Sequence, residues 1–572
     1  MFETLVDRVR GAALDEPTRD AVVFLRSQGR EQVAEPLTYG DLDVAARRIA
    51  AGLLARWQPG SRMLLLHPSS VGFVTAFVGC HYAGMVPVPA PAPTNQNRQG
   101  ARTSAIAADA SVAAVLCESS QVELVAEFAD GVPVIASDVI EADPETWRPP
   151  ALAADSVAIL QYTSGSTSDP KGVVVTHGSL MDNLKLITES FGVDRDTRSC
   201  SWLPLYHDMG LVGMLLTPLY LNSTVIMLSP TDFLRRPHMW LSTVQRHGVS
   251  FITAPNFAYD LCTRTVTDEQ LSTMDLSGVG YALNGAEPLH AATLDRFADR
   301  FAAAGFRRQA LKPCYGMAET TLFVSCTPAD RGPVVTAVDP AALERHDFVP
   351  TEGGRDLVSS GRVRGFDVRI VDPRTRVERT GGGIGEIWVR GDSVAAGYWN
   401  RPEETDRTFR AVTATGEGPF LRTGDLGVLH EGELYVTGRI KDMLIIRGRN
   451  LYPQDIERDV AGMHEAFQGL NGSVCSVPAE QEEIVVMQEL RPRGKAELDL
   501  AGLARDVRGR LAEQLGVRVS NLVFLRPGQV LRTSSGKIRR AHMRDLFMTG
   551  GLTPVYEELD GETSRRYRVG AP

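Results

Sequence analysis

The stretch Val157-Ala-Ile-Leu-Gln-Tyr162, followed by Thr163-Ser-Gly-Ser-Thr-Ser-Asp-Pro-Lys171-Gly172, runs from a β-rich segment straight into a loop of hydroxyls, glycine and one lysine. Small residues such as Gly165 let backbone amides approach an anion closely. The hydroxyls of Thr163, Ser164, Ser166 and Thr167 and the Lys171 ammonium add donors and charge, so the loop suits a polyphosphate. It is not a Walker loop, because that motif needs glycine immediately before its lysine and Pro170 stands there. A solvated Ser/Gly linker is the alternative reading of the same residues.

Toward the N-terminus, Thr38-Tyr-Gly-Asp41 has the Ser/Thr-x-x-Asp/Glu form of a helix start, and Leu42, Ala45, Ala46, Ile49 and Leu53 then share one face at helical spacing. Short β-rich runs recur from Met63, Ala114, Pro133, Thr224 and Ser250. Helical patterns lie between several of them, including 178–191 and 290–304, so the first 330 residues predict strands alternating with helices. No acidic or basic side chain occurs between Arg62 and Arg98. That stretch carries His67, His81 and four prolines from Pro87 to Pro93, which would leave polar groups and broken helix in hydrocarbon. A buried strand, a short buried helix and a Pro-rich extended segment fit it instead.

From Leu357 the texture turns Gly-, Val- and Ile-rich, in runs such as FDVRIVD, GEIWVRG and GELYVTG, which predict strands joined by turns and a smaller β subdomain over 357–440. Past Lys441, strand runs mix with a helix from Leu498 to Leu515 in a unit the size of a small domain. The expected division is 1–440, 441–548 and a polar, poorly ordered tail over 549–572.

The chain has 572 residues, well beyond the ~250–300 at which single cores stop growing, so at least two domains are expected. Sixty basic against seventy acidic side chains, a formal charge of −10, argue against nucleic acid as the main partner. Seven scattered cysteines with no CxxC pair argue against a thiolate zinc site and fit a reducing compartment. The opening MFETLVDRVR breaks any apolar run with charge and does not resemble a signal peptide, so a cytoplasmic location is expected.

Beginning at the hydroxyl loop, the sequence resembles the acyl- and aryl-adenylating superfamily of acyl-CoA synthetases, amino-acid adenylation domains and luciferases. Six further blocks carry the resemblance in order: Leu203-Pro-Leu-Tyr-His-Asp-Met-Gly-Leu211, Asn284-Gly-Ala-Glu-Pro288, Tyr315-Gly-Met-Ala-Glu-Thr320, Arg422-Thr-Gly-Asp-Leu-Gly427, Gly438-Arg-Ile-Lys-Asp442 and Thr533-Ser-Ser-Gly-Lys-Ile-Arg539. Within the superfamily the chain looks most like the fatty acyl-AMP ligases. Four features point there: YHDMGL, the YGMAETT form with Ala318, RGRNLYPQDIE from Arg447, and a long segment from Leu322 to Ser360 that looks like the insertion marking those enzymes.

The resemblance implies an α/β fold with a large multi-layer N-terminal domain of αβαβα layers plus the β subdomain, and a small mobile α+β C-terminal domain. It also implies ATP- and Mg²⁺-dependent conversion of a fatty acid to acyl-AMP, with the acyl group passed to the phosphopantetheine of an acyl carrier protein. Adenylation is an in-line attack of a carboxylate oxygen on the α-phosphorus, so positioning and electrostatics carry it.

By the same resemblance, Thr163 and Glu319 hold Mg²⁺, as hard oxygen ligands should. Asp425 accepts from the ribose hydroxyls beside Arg439. Gly285, Ala286 and Tyr315 flank adenine, with Gly316 and Met317 in the same nucleotide block. His207 lies near the phosphates and acyl channel, and Lys537 bridges the carboxylate and α-phosphate oxygens. Lys441 is the hinge about which the C-terminal domain turns. Plainer readings exist: Glu319 as a surface carboxylate, Tyr315 and His207 as core residues, Lys537 as an exposed lysine in a glycine loop. Where acyl-CoA ligases often carry a Gly-Gly pair, this chain has Arg447 before Gly448, which fits a different thiol acceptor. The rivals are a fatty acyl-CoA ligase and a catalytically silent lipid-binding or regulatory relative.

Overall fold

The computed structural model describes residues 2–29, 31–93, 98–163, 170–446, 449–479, 482–491, 498–515, 519–533 and 536–568. Among these residues the largest sheet has nine strands, running 362–363, 323–326, 311–316, 281–285, 251–255, 199–201, 225–228, 20–28 and 31–38 from edge to edge. Its central strands pair in parallel, and the three outermost pairings, two at one edge and one at the other, are antiparallel. Strands Val225–Leu228 and Phe251–Pro255 are buried at every position, as parallel strands covered on both faces are. Helix Ala291–Phe301 presses Leu294, Phe297 and Phe301 inward at helical spacing, and Phe297 meets Tyr259 edge-on at 5.0 Å.

A second, all-parallel sheet runs Val86–Pro89, Arg62–Leu65, Ala114–Cys117 and Val134–Ala136. The uncharged stretch after Arg62 therefore becomes a strand, the buried helix Val71–Tyr82 and another strand. Among the described residues no helix is long and apolar enough to cross a membrane. Helix Tyr39–Leu54 begins as its sequence predicts, with the Thr38 hydroxyl accepting from the Asp41 N–H at 3.1 Å.

One strand departs from the simple alternation. Val157–Tyr162 pairs antiparallel with Gly172–Thr176, so the hydroxyl loop closes a hairpin, and helix His177–Phe191 starts directly after the second strand. Three successive β-branched residues, Val173 to Val175, favour the extended partner.

The Gly-rich region forms a four-stranded antiparallel sheet of Asp367–Val371, Gly385–Arg390, Leu421–His430 and Glu433–Arg439. From Leu444 onward the chain builds two apolar clusters of its own around a sheet of Gly472–Val477, Glu483–Glu489, Asn521–Leu525 and Tyr556–Glu558. The segment after Thr549, expected as a loose polar tail, is ordered through Arg568. Tyr556–Glu558 pairs with Asn521–Leu525, and helix Gly561–Arg568 follows, its Arg568 donating to Glu557 at 2.6 Å. Three backbone-paired residues and one charged clasp outweigh its polar composition, which is what the sequence alone displayed.

The inserted segment is also structured. Strands Val335–Val338 and Arg355–Val358 pair, with the short helix Pro340–Glu344 between them. Val338, Leu343 and Phe348 share an apolar cluster with Leu426, Val428, Tyr435 and Tyr452, so the segment is wedged between the β subdomain and the start of the C-terminal unit.

Candidate active site

The neighbouring parallel strands Tyr281–Gly285 and Leu311–Gly316 end side by side, and the crevice outside the carboxyl ends of such strands is where α/β sheets bind ligands. A Cβ on Gly285 would stand 2.8 Å from Cys314 Sγ and 3.0 Å from its carbonyl oxygen, so glycine alone lets the two strands lie this near. Ala286 follows in the left-handed region, with φ of 67°. Gly316 is tighter still, since a Cβ would fall 1.7 Å from the Leu322 carbonyl oxygen. Met317 places its Sδ 4.0 Å from the Tyr315 hydroxyl.

That hydroxyl donates to Asp425 Oδ2 at 2.8 Å, and Arg439 Nε donates to Asp425 Oδ1 at 2.8 Å. Asp425 and Arg439 face each other across paired strands of the β subdomain. Asp425 is 4% exposed, and a carboxylate offers about four lone-pair directions, so two acceptor directions remain for vicinal hydroxyls. The Asp425 charge holds the Arg439 guanidinium above its ordinary pKa, and burial pushes the Tyr315 phenol up.

Glu319 accepts from the Tyr398 hydroxyl at 2.9 Å. Burial raises its carboxyl above the usual range, while the Tyr398 hydrogen bond pulls the other way. Lys171 forms an ion pair with Glu404 and lies 5.4 Å from the centre of the same Tyr398 ring. The lysine expected at a polyphosphate and the glutamate expected at a cation therefore meet through one tyrosine. At the root of the loop the Thr163 N–H donates to the Lys171 carbonyl at 3.2 Å, and the Thr163 carbonyl accepts from Arg102 at 3.0 Å. Ser164, Gly165, Ser166 and Thr167 lie outside the described residues, as do Arg447 and Gly448.

His207 Nδ1 stands 3.8 Å from Asp208 Oδ1, which also accepts from the Met209 N–H at 2.8 Å. Burial opposes the Asp208 charge, yet the neighbouring His207 imidazole, the charge of Lys537 and the Met209 N–H hold the carboxyl below the usual range. Lys537 rides on a hairpin: the Thr533 N–H donates to the Lys537 carbonyl at 2.7 Å, and the Lys537 N–H donates to Thr533 Oγ1 at 3.0 Å. Burial and then Arg439 lower the pKa of its ammonium, against the pull of Asp208, Asp425 and Glu287. Lys537 thus lies within the field of the Asp425, Arg439 and Asp208 groups, although 98 or more positions separate it from them in the chain. Lys441 follows the strand that ends at Arg439, and its neighbour Asp442 accepts from Arg540 Nη1 at 3.3 Å across to the C-terminal unit.

Tyr398, Arg102, Arg532 and Glu287 are not among the residues the sequence singles out, although Glu287 lies within the block Asn284–Pro288. A charged residue among the small and neutral residues of that block is the available signal for Glu287; Tyr398, Arg102 and Arg532 carry none.

A model of the AMP-binding enzyme family matches residues 9–399. The chain belongs to that family. This AMP-binding enzyme is 40% identical to the medium-chain fatty acid acyl-carrier-protein ligase JamA of Moorena producens, over 96% of each chain. It is 38% identical to the long-chain fatty acid AMP ligase of Mycobacterium marinum, over 91% of this chain and 92% of the relative. Its fold superposes on a Legionella pneumophila fatty acyl-adenylate ligase solved with acyl adenylate and pyrophosphate, with a TM-score of 0.75, 36% identity, and coverage of 97% and 98%.

Proposed function

We propose that the protein activates a medium- to long-chain fatty acid with ATP, forming acyl-AMP and pyrophosphate, and then passes the acyl group to the phosphopantetheine thiol of an acyl carrier protein in the cytoplasm. The observation that carries this reading is that Lys537, from the C-terminal unit, feels the charges of Asp425 and Arg439, the pair that Tyr315 joins through Asp425. The similarity to JamA over nearly the whole of both chains supports the acceptor.

In the first step a fatty acid carboxylate oxygen forms a bond to the α-phosphorus while the bond to the departing pyrophosphate oxygen breaks. Both reactants are anionic, so the protein must supply positive charge and orientation. Lys537 neutralises charge shared between the carboxylate and α-phosphate oxygens. Asp425 accepts from the ribose hydroxyls and is itself oriented by Tyr315 and Arg439. In the second step the thiol sulfur attacks the acyl carbon and AMP leaves with the electron pair of the mixed anhydride.

Mg²⁺ keeps most of its waters and takes one or two carboxylates besides substrate phosphates. Glu319 and the Thr163 hydroxyl fit that role, and no cluster of three or more His, Cys, Asp or Glu side chains suited to an all-protein metal site occurs among the described residues. When bound, the ion would screen phosphate charge.

The unit boundary is placed near Lys441, with residues 1–440 binding ATP and fatty acid and the rest turning between steps. The test is incubation with ATP, Mg²⁺ and a panel of fatty acids, then coenzyme A or a phosphopantetheinylated carrier, with mass detection of every acyl product. Acyl-carrier as the main product is expected; rapid acyl-CoA formation overturns the acceptor assignment, and absence of any acyl-AMP overturns the activity.

A further inference from the structure

The hairpin that delivers Lys537 is fastened to the rest of the molecule beside the nucleotide site. Within it the Arg539 N–H donates to the Leu531 carbonyl at 2.9 Å, and Arg532 bridges Ile538, the residue after Lys537. Arg532 and Lys537 therefore move as one piece. Facing them are helix Asn256–Thr265 and the loop that follows strand Tyr281–Gly285.

The Arg532 guanidinium lies 5.2 Å from the centre of the Phe257 ring, and its Nη2 stands 4.0 Å from Glu287 Oε2. Gly536, with φ of 89°, lies against the same ring, where a Cβ would come 2.8 Å from Phe257 Cε1. Glu287 accepts from the Phe257 backbone N–H as well, so the carboxylate is anchored to the residue that carries the ring. The nearby Asp260 is already matched by Arg264 at 2.8 Å and Arg296 at 3.1 Å. Burial pushes the Glu287 carboxyl up to about 7, and the positive groups that pull it back down are Arg532 and Lys537, both on the hairpin. The Glu287 side chain is 11% exposed, and a carboxylate this sheltered needs a cation beside it to stay ionised.

We propose that Glu287 is a positioning residue: with Phe257 it latches Arg532, and so holds the Lys537 hairpin against the nucleotide site while acyl-AMP forms. The latch must part when the C-terminal unit turns for acyl transfer. This rests on the function proposed above. Losing it lowers the fraction of molecules with Lys537 in place, which slows adenylation and spares the step in which Lys537 takes no part. Removing one partner of a sheltered charged contact is expected to cost about tenfold.

The test compares full-length Glu287→Gln, Arg532→Ala and Arg532→Lys with the parent in three measurements. These are acyl-AMP formation from ATP and a medium-chain fatty acid, transfer from supplied acyl-AMP to a phosphopantetheinylated carrier, and hydrogen exchange of the hairpin 530–539. In Glu287→Gln and Arg532→Ala, kcat for acyl-AMP formation falls about tenfold while KM for ATP stays within about twofold. Arg532→Lys, which keeps a cation over the ring, recovers most of the rate. Transfer is unchanged or faster, and the hairpin amides exchange faster. Parental adenylation rates, or equal loss in both half-reactions, overturn the latch. If the parent makes no acyl-AMP at all, the proposed function fails, and hydrogen exchange judges the latch alone: unchanged protection in Glu287→Gln overturns it.

Discussion

Glu344 of the inserted segment accepts two parallel hydrogen bonds from Arg449, Nε to Oε2 at 2.7 Å and Nη2 to Oε1 at 2.6 Å. The Glu344 carbonyl also accepts from Asn450 at 2.9 Å, and Arg355, at the far end of the same segment, pairs with Asp455. The insertion therefore grips the first residues of the C-terminal unit at two separate places.

That grip should restrain rotation about Lys441 and disfavour an acceptor that brings no contacts of its own. Glu344→Ala or Arg355→Ala removes one grip. A partly exposed ion pair contributes ~0.5–1 kcal/mol, so each change shifts the population of turned molecules about two- to fivefold. Acyl-CoA output in the presence of coenzyme A should rise by that factor. Point changes are a cleaner test than excising the segment, because Val338, Leu343 and Phe348 belong to an apolar cluster that excision would open. Unaltered acyl-CoA output in the double variant would separate the insertion from acceptor choice.

Lys537→Ala is expected to lower the rate of acyl-AMP formation by ~10²–10³ or more, the usual effect of losing one preorganised donor at developing charge. ATP binding should persist, since Asp425, Arg439 and Tyr315 are untouched. Pyrophosphate release measured at saturating fatty acid reads this directly, and a parental rate removes Lys537 from the chemistry.

Asp425→Ala should weaken ATP binding at least about tenfold, because hydrogen bonds to a charged group contribute ~1.5–3 kcal/mol. The change also leaves Arg439 without its carboxylate. Calorimetric titration of ATP checks it, and an affinity equal to the parent's would place the ribose elsewhere.

Burial holds His67, His177 and His290 at about 4, and His81 well below its ordinary value. Their folded-state pKa values lie below the unfolded value of about 6.5, so the unfolded chain binds more protons once the pH drops below that point. Stability is full above pH about 6.5 and is lost progressively toward pH about 4. At pH about 5.5 each such imidazole costs about 1.4 kcal/mol. Urea unfolding at a series of pH values should show this slope, with His177→Asn making it shallower by about one proton. Stability independent of pH between about 7 and 5 would contradict it.

Much of the site was legible in the chain because the residues that carry it are ones for which no other type would do. Gly285 and Gly316 admit no Cβ, Asp425 lies within the strand Leu421–His430 directly after Gly424, and the strand runs at Met63, Ala114 and Ser250 all become strands. Local patterns of this kind are set by backbone sterics and burial, which act over a few residues. The hairpin at Val173–Val175 and the ordered segment after Thr549 were less legible, since each depends on a partner strand rather than on its own composition.

The sequence by itself determined the fold class and the order of the blocks that mark the family, and the resemblance these blocks carry is what singles out Lys537, Asp425 and Glu319 as the groups expected at phosphate, ribose and metal. Only the tertiary structure decided who meets whom. Glu319 finds Tyr398 across 79 positions, Tyr315 finds Asp425 across 110, and Glu344 finds Arg449 across 105. Such pairings follow from how whole sheets and units pack, and ionic or hydrogen-bonding partners that far apart leave no periodicity in one chain from which they could be read.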